Sequence, residues 1–354
     1  MLLVFGLAAL IWFGGGLAGL PRQARGLMLG LLYVAVLMVQ VALPEGHPLR
    51  LATGGSPAVW LILGGFGALA TAYALGVRRL KGRAAAKEAA EAPAPRPGAM
   101  AEAELERYAR HIVLRELGGP GQRALREAKV LVVGAGGLGA PALQYLAAAG
   151  VGTVGVIDQD RVENANLQRQ VIHRDADIGI PKVFSAQAAM EAQNPYVTVR
   201  PYNRRLTEEI ADALFADYDV ILDGSDNFET RELVNRAAVA AGRPLVWGAL
   251  TQWEGQLAVF DPARGGPCYA CVFPERPAPG LAPACAEAGV LGPLPGVVGA
   301  MMAVEAIKLI AQAGQPLTGR LMLYDALYAE ARVIAVARRP GCPVCGAGDG
   351  ALKA

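Results

Sequence analysis

The chain has 354 residues, enough for about two domains, with 33 Lys+Arg against 31 Asp+Glu and a formal net charge of +2. That balance excludes a polybasic nucleic-acid binder or an acidic disordered chain as a description of the whole, and five cysteines exclude a disulfide scaffold. Charge is unevenly spread, because Arg22, Arg25, Glu45 and Arg50 are the four charged side chains of the first 77 residues. A membrane anchor joined to a soluble domain is the organisation this predicts.

Three uncharged stretches approach the roughly 20 apolar residues that a hydrocarbon core requires: Met1–Leu20, Gly26–Leu43 and Val59–Val77. The first lacks the basic start and small-residue cleavage site of a signal peptide, so three spans are expected within an anchor of residues 1–83. Arg22 and Arg25 occupy the first loop, Arg50 beside Glu45 the second, and Arg78, Arg79, Lys81 and Arg83 follow the third span. The positive-inside rule then predicts the N-terminus outside and everything after Arg78 in the cytoplasm, in a multi-pass inner-membrane protein. Trp60 is expected as an interfacial aromatic. The absence of Asp, Glu, Lys and Arg from these three stretches argues for an anchor and against a transport path. Residues 84–100 are rich in Ala and Pro and read as a semi-rigid linker.

The soluble part, residues 101–354, begins with a helical pattern over Glu102–Leu117. Lys129–Val133 reads as a buried parallel strand running into Gly134-Ala135-Gly136-Gly137-Leu138-Gly139. A helix over Ala140–Ala149 follows, then a strand Thr153–Ile157 ending in Asp158-Gln159-Asp160. This is the pattern of a nucleotide-binding βαβ unit, in which glycines admit phosphates and the helix N-terminus presents free N–H groups. It suits NAD or FAD almost as well as ATP. Further strands are expected at Val220–Leu222, Leu245–Trp247, Gln256–Phe260, Leu321–Tyr324 and Arg332–Val336, the last two antiparallel or terminal. Helices are expected over Lys182–Gln193, Thr230–Ala241 and Val297–Ala311. The last is apolar enough to pass for a span, but Glu305 and Lys308 favour a buried or interface helix. The fold class is therefore α/β: a Rossmann-like, mostly parallel sheet with helices on both faces and an antiparallel C-terminal extension, preceded by three transmembrane helices.

Cys268 and Cys271 form one C-x-x-C pair, Cys342 and Cys345 another. Two knuckles supplying two thiolates each suit a structural zinc that clamps the C-terminus onto the domain. Redox-active C-x-x-C pairs are the rival reading. Cys285 is left over in a Pro/Gly-rich loop, either a nucleophile or a packed small residue.

With these residues assembled, the chain resembles the MoeB/ThiF/HesA family, bacterial relatives of ubiquitin-activating enzymes, over about residues 101–346. The motifs that carry the resemblance are Arg107-Tyr108-Ala109-Arg110-His111, the loop from Gly134, Asp158-Gln159-Asp160, Asn166-Leu167-Gln168-Arg169-Gln170, Gly179-Ile180-Pro181-Lys182, Asp223-Gly224-Ser225-Asp226-Asn227 and both cysteine pairs. A dehydrogenase accounts for the glycine loop and Asp158 but not for the rest. The MoeB-type branch, molybdopterin-synthase adenylyltransferases, is nearest, with ThiF close behind.

The resemblance implies adenylation of the C-terminal glycine carboxylate of a MoaD- or ThiS-like ubiquitin-like sulfur carrier ending in Gly-Gly, as a step in molybdopterin or thiamine biosynthesis. It implies ATP, Mg²⁺ and a structural Zn²⁺. ATP would be held by Gly134, Gly136, Gly137, Gly139, Asp158, Asp160, Asn166, Leu167, Gln168, Arg169, Lys182, Asp226 and Asn227. Arg169 and Lys182 would counter phosphate charge, and Asp226 would hold Mg²⁺. Arg110 would enter the site of a partner copy in a homodimer. Cys285 would carry a covalent carrier intermediate in some relatives. Two departures stand out. The anchor is not part of the usual pattern, and no rhodanese-like extension follows Cys345, so a separate sulfur-donor protein is expected. The alternatives are a non-catalytic binding subunit of an activating-enzyme-like complex, or an NAD- or FAD-dependent oxidoreductase.

Overall fold

The computed structural model describes residues 1–91, 100–277 and 289–346. Cys285 and residues 92–99 of the expected linker lie outside the described residues. The chain divides into two compact units, Met1–Gly98 and Ala99–Ala354.

In the first unit, three longer helical segments enclose a small apolar interior, and a short helix, Pro48–Ala52, lies in the connection before the last of them. The first segment forms a short apolar helix, Leu2–Leu17, beginning as α1 (Leu2–Ala9) and passing through one π-helical turn at Leu10–Gly14. Two longer helices follow, α2 (Arg22–Ala42) and α3 (Pro57–Glu91). By length and composition, Arg22–Ala42 and Pro57–Arg83 are able to cross a membrane. Helix α3 continues through residues 84–91, the first part of the stretch read as a linker.

Val4, Val36 and Trp60 are buried together. Trp60 therefore does not face outward as an interfacial aromatic. Its indole N–H donates to the Thr53 carbonyl at 2.9 Å and its own carbonyl accepts from the Tyr33 hydroxyl at 2.8 Å. An indole that finds its partner inside the bundle has no need of headgroup water. Gln40 is also buried and donates to the Thr53 hydroxyl at 2.7 Å, tying α2 to the turn before α3. Tyr33 lies against Gly64, where a Cβ would fall 1.8 Å from its hydroxyl oxygen, so a glycine is what lets these two helices meet.

The second unit is an eight-stranded sheet in the order β3-β2-β1-β4-β5-β6-β7-β8. Strands β1 (Lys129–Val133), β2 (Thr153–Ile157), β3 (Thr198–Tyr202), β4 (Val220–Asp223) and β5 (Leu245–Leu250) are parallel. Strands β6 (Glu254–Phe260), β7 (Arg320–Asp325) and β8 (Glu330–Ala335) extend the sheet antiparallel. Strands β1 and β4 are buried on both faces, which is why their sequences run apolar without alternating. Strand β3 was not foreseen. It sits at the sheet edge, pairs among the described residues only with β2, and carries Pro201, which an edge tolerates.

Helices cover both faces. Helix α4 (Glu102–Ile112) ends five residues short of the helix expected over Glu102–Leu117, and α5 (Gly118–Glu127) is an additional helix that follows it. Leu125 of α5, α6 (Gly139–Ala149) and α7 (Lys182–Gln193) build one core with the sheet. Helices α8 (Glu208–Ala216) and α9 (Phe228–Ala240) build the other, around Phe215, Tyr218, Trp247 and Phe260.

Helix α10 (Pro293–Ala311) is a third helix long and apolar enough to cross a membrane. It instead packs on α5, α6, β5 and β6, with Val298, Met302 and Ala306 buried. Its buried Glu305 is satisfied within the domain, accepting the Leu317 N–H at 2.8 Å and pairing with Lys308.

Candidate functional site

The strand order reverses between β1 and β4, because the chain leaves β1 toward β2 on one side and later returns to β4 on the other. In open α/β sheets such a switch point opens a crevice beyond the carboxyl ends of the strands. The candidate residues collect there because Gly134 follows the end of β1, Asp158 follows the end of β2 and Asp223 ends β4.

Gly134 has φ +92°, and its N–H donates to the Ile157 carbonyl at 2.9 Å. A Cβ there would meet the Gly224 carbonyl at 3.2 Å, and a Cβ on Gly139 would fall 1.9 Å from the Gly134 carbonyl oxygen. Both positions require glycine for the turn to close onto the helix. A Cβ on Gly137 would touch Pro295 at 3.1 Å and approach the Arg169 side chain. Gly136 lies beside Gln170.

Asp158 accepts two backbone N–H bonds at 2.8 Å, from Ala135 and from Asp160. Asp160 in turn accepts the Lys182 ammonium at 2.9 Å, while its carbonyl takes the Lys182 N–H. One short acidic turn thus tethers both the glycine loop and the start of α7. Asn166 is buried and accepts from Gln170 at 2.8 Å. Leu167 is half-buried, Gln168 is exposed against Gly292, and Arg169 donates to the Ala165 carbonyl at 2.9 Å. Asp226 is exposed, and the neighbouring Asn227 caps α9 by accepting the Thr230 N–H at 2.9 Å. Arg110 is exposed on α4.

Sequence reading passed over three groups here. His173 and Ser185 are buried behind the glycine loop. Asp223 belongs to the Asp223–Asn227 motif, yet it is fully buried, with one oxygen accepting the Ser225 N–H at 2.9 Å and the other without a protein partner. Burial pushes its carboxyl above the ordinary carboxylate range. Arg231 donates to the Ser225 carbonyl at 3.1 Å and lies over the Phe228 and Trp247 rings, bracing the same loop. For His173 nothing in the linear spacing flags the role, because its partners Ala135 and Ser185 come from other elements; for Asp223 and Arg231 the hydrogen-bond partners are near in sequence, and it is their burial that the sequence does not show.

At the far end of the domain the four cysteines meet. Their sulfurs all lie within 4.8 Å of one another. Cys268 is 3.8 Å from Cys271 and 3.7 Å from Cys342, and Cys271 is 3.4 Å from Cys345. Zinc–thiolate bonds of about 2.3 Å at tetrahedral angles put sulfurs about 3.8 Å apart. The cage therefore fits a zinc ion, and the separations are too long for disulfides. Cys268, Cys342 and Cys345 are buried and Cys271 half-buried, which closes the cage to substrate.

A nucleotide-type crevice at a switch point and a remote cysteine cage define an α/β activating-enzyme-like domain. The ThiF family profile matches residues 108–344, and the chain belongs to the ThiF family. The sulfur carrier protein adenylyltransferase of Thermus thermophilus is 54% identical over 247 residues, covering 69% of this chain and 91% of the relative. The molybdopterin-synthase adenylyltransferase of Salmonella typhimurium is 45% identical over 250 residues, covering 70% and 98%. Among solved structures, E. coli MccB with ATP superposes with a TM-score of 0.59 at 24% identity, covering 68% of this chain and 74% of that one. That likeness concerns the fold alone.

Proposed function

We propose that the protein adenylates the C-terminal glycine carboxylate of a ubiquitin-like sulfur carrier. The carboxylate oxygen forms a bond to the α-phosphorus of ATP, the bond to the β-phosphate oxygen breaks, and pyrophosphate leaves. An α-carboxyl group with a pKa of about 3.5 is already ionised at pH 7, so no general base is required. Both reactants are anions, and the protein's task is to hold them together and offset charge. Asp158 suits the ribose hydroxyls, and the loop Gly134–Gly139 suits the phosphates. Lys182, Arg169 and Asn166 serve the phosphate chain, with Arg110 contributed from the second copy of a homodimer. Asp226 is an accessible carboxylate at the end of β4 and suits Mg²⁺, which supplies charge neutralisation at the phosphates. The cysteine cage suits a structural Zn²⁺ with no open position.

The observation that carries this reading is the chain of contacts from the Ala135 N–H to Asp158, to Asp160 and to Lys182, a loop-acid-lysine constellation at the switch point. The test is ATP–pyrophosphate exchange by the full-length protein in detergent with candidate carriers ending in Gly-Gly. Exchange that depends on one carrier and is lost with its last glycine is the expected result. ATP binding without exchange for any carrier would favour a binding subunit.

For the first unit we infer a membrane anchor that keeps the catalytic domain on the cytoplasmic side, supported by the apolar helices and the basic run from Arg78 to Arg83. Retention in the membrane after carbonate washing, with a C-terminal tag reached by protease only from the cytoplasmic face, is the expected outcome. Release by carbonate would refute it.

A further inference from the structure

The adenylation scheme above makes no use of His173, yet the imidazole is buried where two parts of the site join. Its Nε2 lies 3.0 Å from the Ala135 carbonyl oxygen and its Nδ1 lies 2.8 Å from Ser185 Oγ. Ser185 Oγ also lies 2.7 Å from Asp177 Oδ2. A carbonyl oxygen only accepts, so Nε2 carries the proton of the neutral ring; Nδ1 then presents a lone pair, and the one Ser185 hydroxyl proton is shared between Nδ1 and the Asp177 carboxylate. The charged groups around the ring are Lys182 on α7, Asp177 on the turn Asp175–Asp177 and Asp158 at the end of β2.

The consequence lies in the peptide that follows Ala135. A trans peptide is planar, so the carbonyl of Ala135 and the N–H of Gly136 point in opposite directions, and holding one holds the other. Next to glycine, rotation of that plane is sterically easy. The Ala135 N–H is already held by Asp158 at 2.8 Å. His173 adds the second constraint, and through Ser185 it links the loop to α7, one helical turn from Lys182.

We propose that His173 is a positioning residue for the nucleotide: it locks the Ala135–Gly136 peptide plane and couples it to the helix that carries Lys182, so the two phosphate-facing elements hold one relative geometry. This rests on the proposed ATP site, and the experiment separates the two. Full-length wild type, His173→Ala, His173→Gln and Ser185→Ala are compared in detergent by equilibrium ATP binding and by ATP–pyrophosphate exchange.

His173→Ala is expected to lower kcat/KM for ATP and ATP affinity by about 10- to 100-fold, while KM for the carrier stays within about twofold. The Gln amide N–H reaches the place of Nε2–H, and His173→Gln recovers most of the loss. Ser185→Ala, which keeps the ring but frees Nδ1, loses about three- to tenfold and decides the matter if His173→Ala does not fold. Wild-type ATP affinity and kinetics in folded His173→Ala or Ser185→Ala would overturn the proposal. So would equal loss in the Ala and Gln variants at matched melting temperature. If wild type binds ATP but exchanges with no carrier, the adenylation reading fails, and the ATP affinities alone decide the role of His173. If wild type does not bind ATP, both readings fail.

Discussion

Replacing Lys182 by Met separates a catalytic from a structural role for the best-placed cation of the site. The Lys182 side chain is 7% exposed and its ammonium lies 2.9 Å from Asp160, which is 57% exposed. At that distance the bare attraction is about 6 kcal/mol for an effective dielectric near 20. Most of it is cancelled by stripping water from the buried ammonium, which costs several kcal/mol. Half-solvated pairs come to about 1 kcal/mol or less. Methionine keeps the apolar stem, and Asp160 is left in contact with water. The fold therefore loses about 1 kcal/mol, or roughly 2–4 °C in Tm for a domain of this size. Loss of a preorganised charge at the reacting phosphates costs more, about 100- to 1,000-fold in turnover. Exchange assays at saturating carrier, with melting curves on the same preparations, measure both. Activity within about fivefold of wild type in a folded variant would refute the assignment, since a group that offsets transition-state charge is worth more than that.

Gly139→Ala should cost at least about 1–3 kcal/mol and abolish ATP binding, because its Cβ overlaps the Gly134 carbonyl; Gly119→Ala, in open space, is the control that should change neither. Cys342→Ser should reduce bound zinc from one per chain to near none by elemental analysis and lower Tm sharply, whereas a wild type that purifies metal-free and cycles between dithiol and disulfide would support redox chemistry. Stability should also fall on mild acidification. Burial lowers the pKa of His173 below its ordinary value, so the neutral ring stabilises the fold above about pH 6.5, and this is lost as pH drops toward the lower folded value. Asp177, held below its ordinary value by the Ser185 hydroxyl, gives way only below about pH 4. The His173 window opens first as pH falls, and His173→Gln should flatten the slope in melts between pH 7.5 and 5; an unchanged slope would contradict this.

Much of the site was legible because each recognition element is local. A strand, a glycine turn and a helix are contiguous in Lys129–Ala149, and the acid that ends β2 follows at once. Glycine at 134 and 139 and a C-x-x-C knuckle are requirements of a few ångströms of chain, and such requirements leave a pattern in the sequence. Helix α10 was legible for a related reason, since Glu305 and Lys308 interrupt an otherwise span-like stretch.

What escaped was non-local. Strand β3 has Pro201 and a polar face, and only its place beside β2 makes Thr198–Tyr202 a strand. Trp60 reads as an interfacial aromatic until Val4, Val36 and Thr53 are seen around it. His173 looks like any other histidine until the fold brings Ala135 and Ser185, 38 and 12 residues away, to its two nitrogens. The amino-acid sequence by itself determined the α/β class, the apolar helices of the first unit, the glycine loop and the cysteine pairs, because steric and hydrophobic rules act between near neighbours. The tertiary structure alone decided which polar groups are buried together, because that depends on how strands distant in sequence are ordered in one sheet.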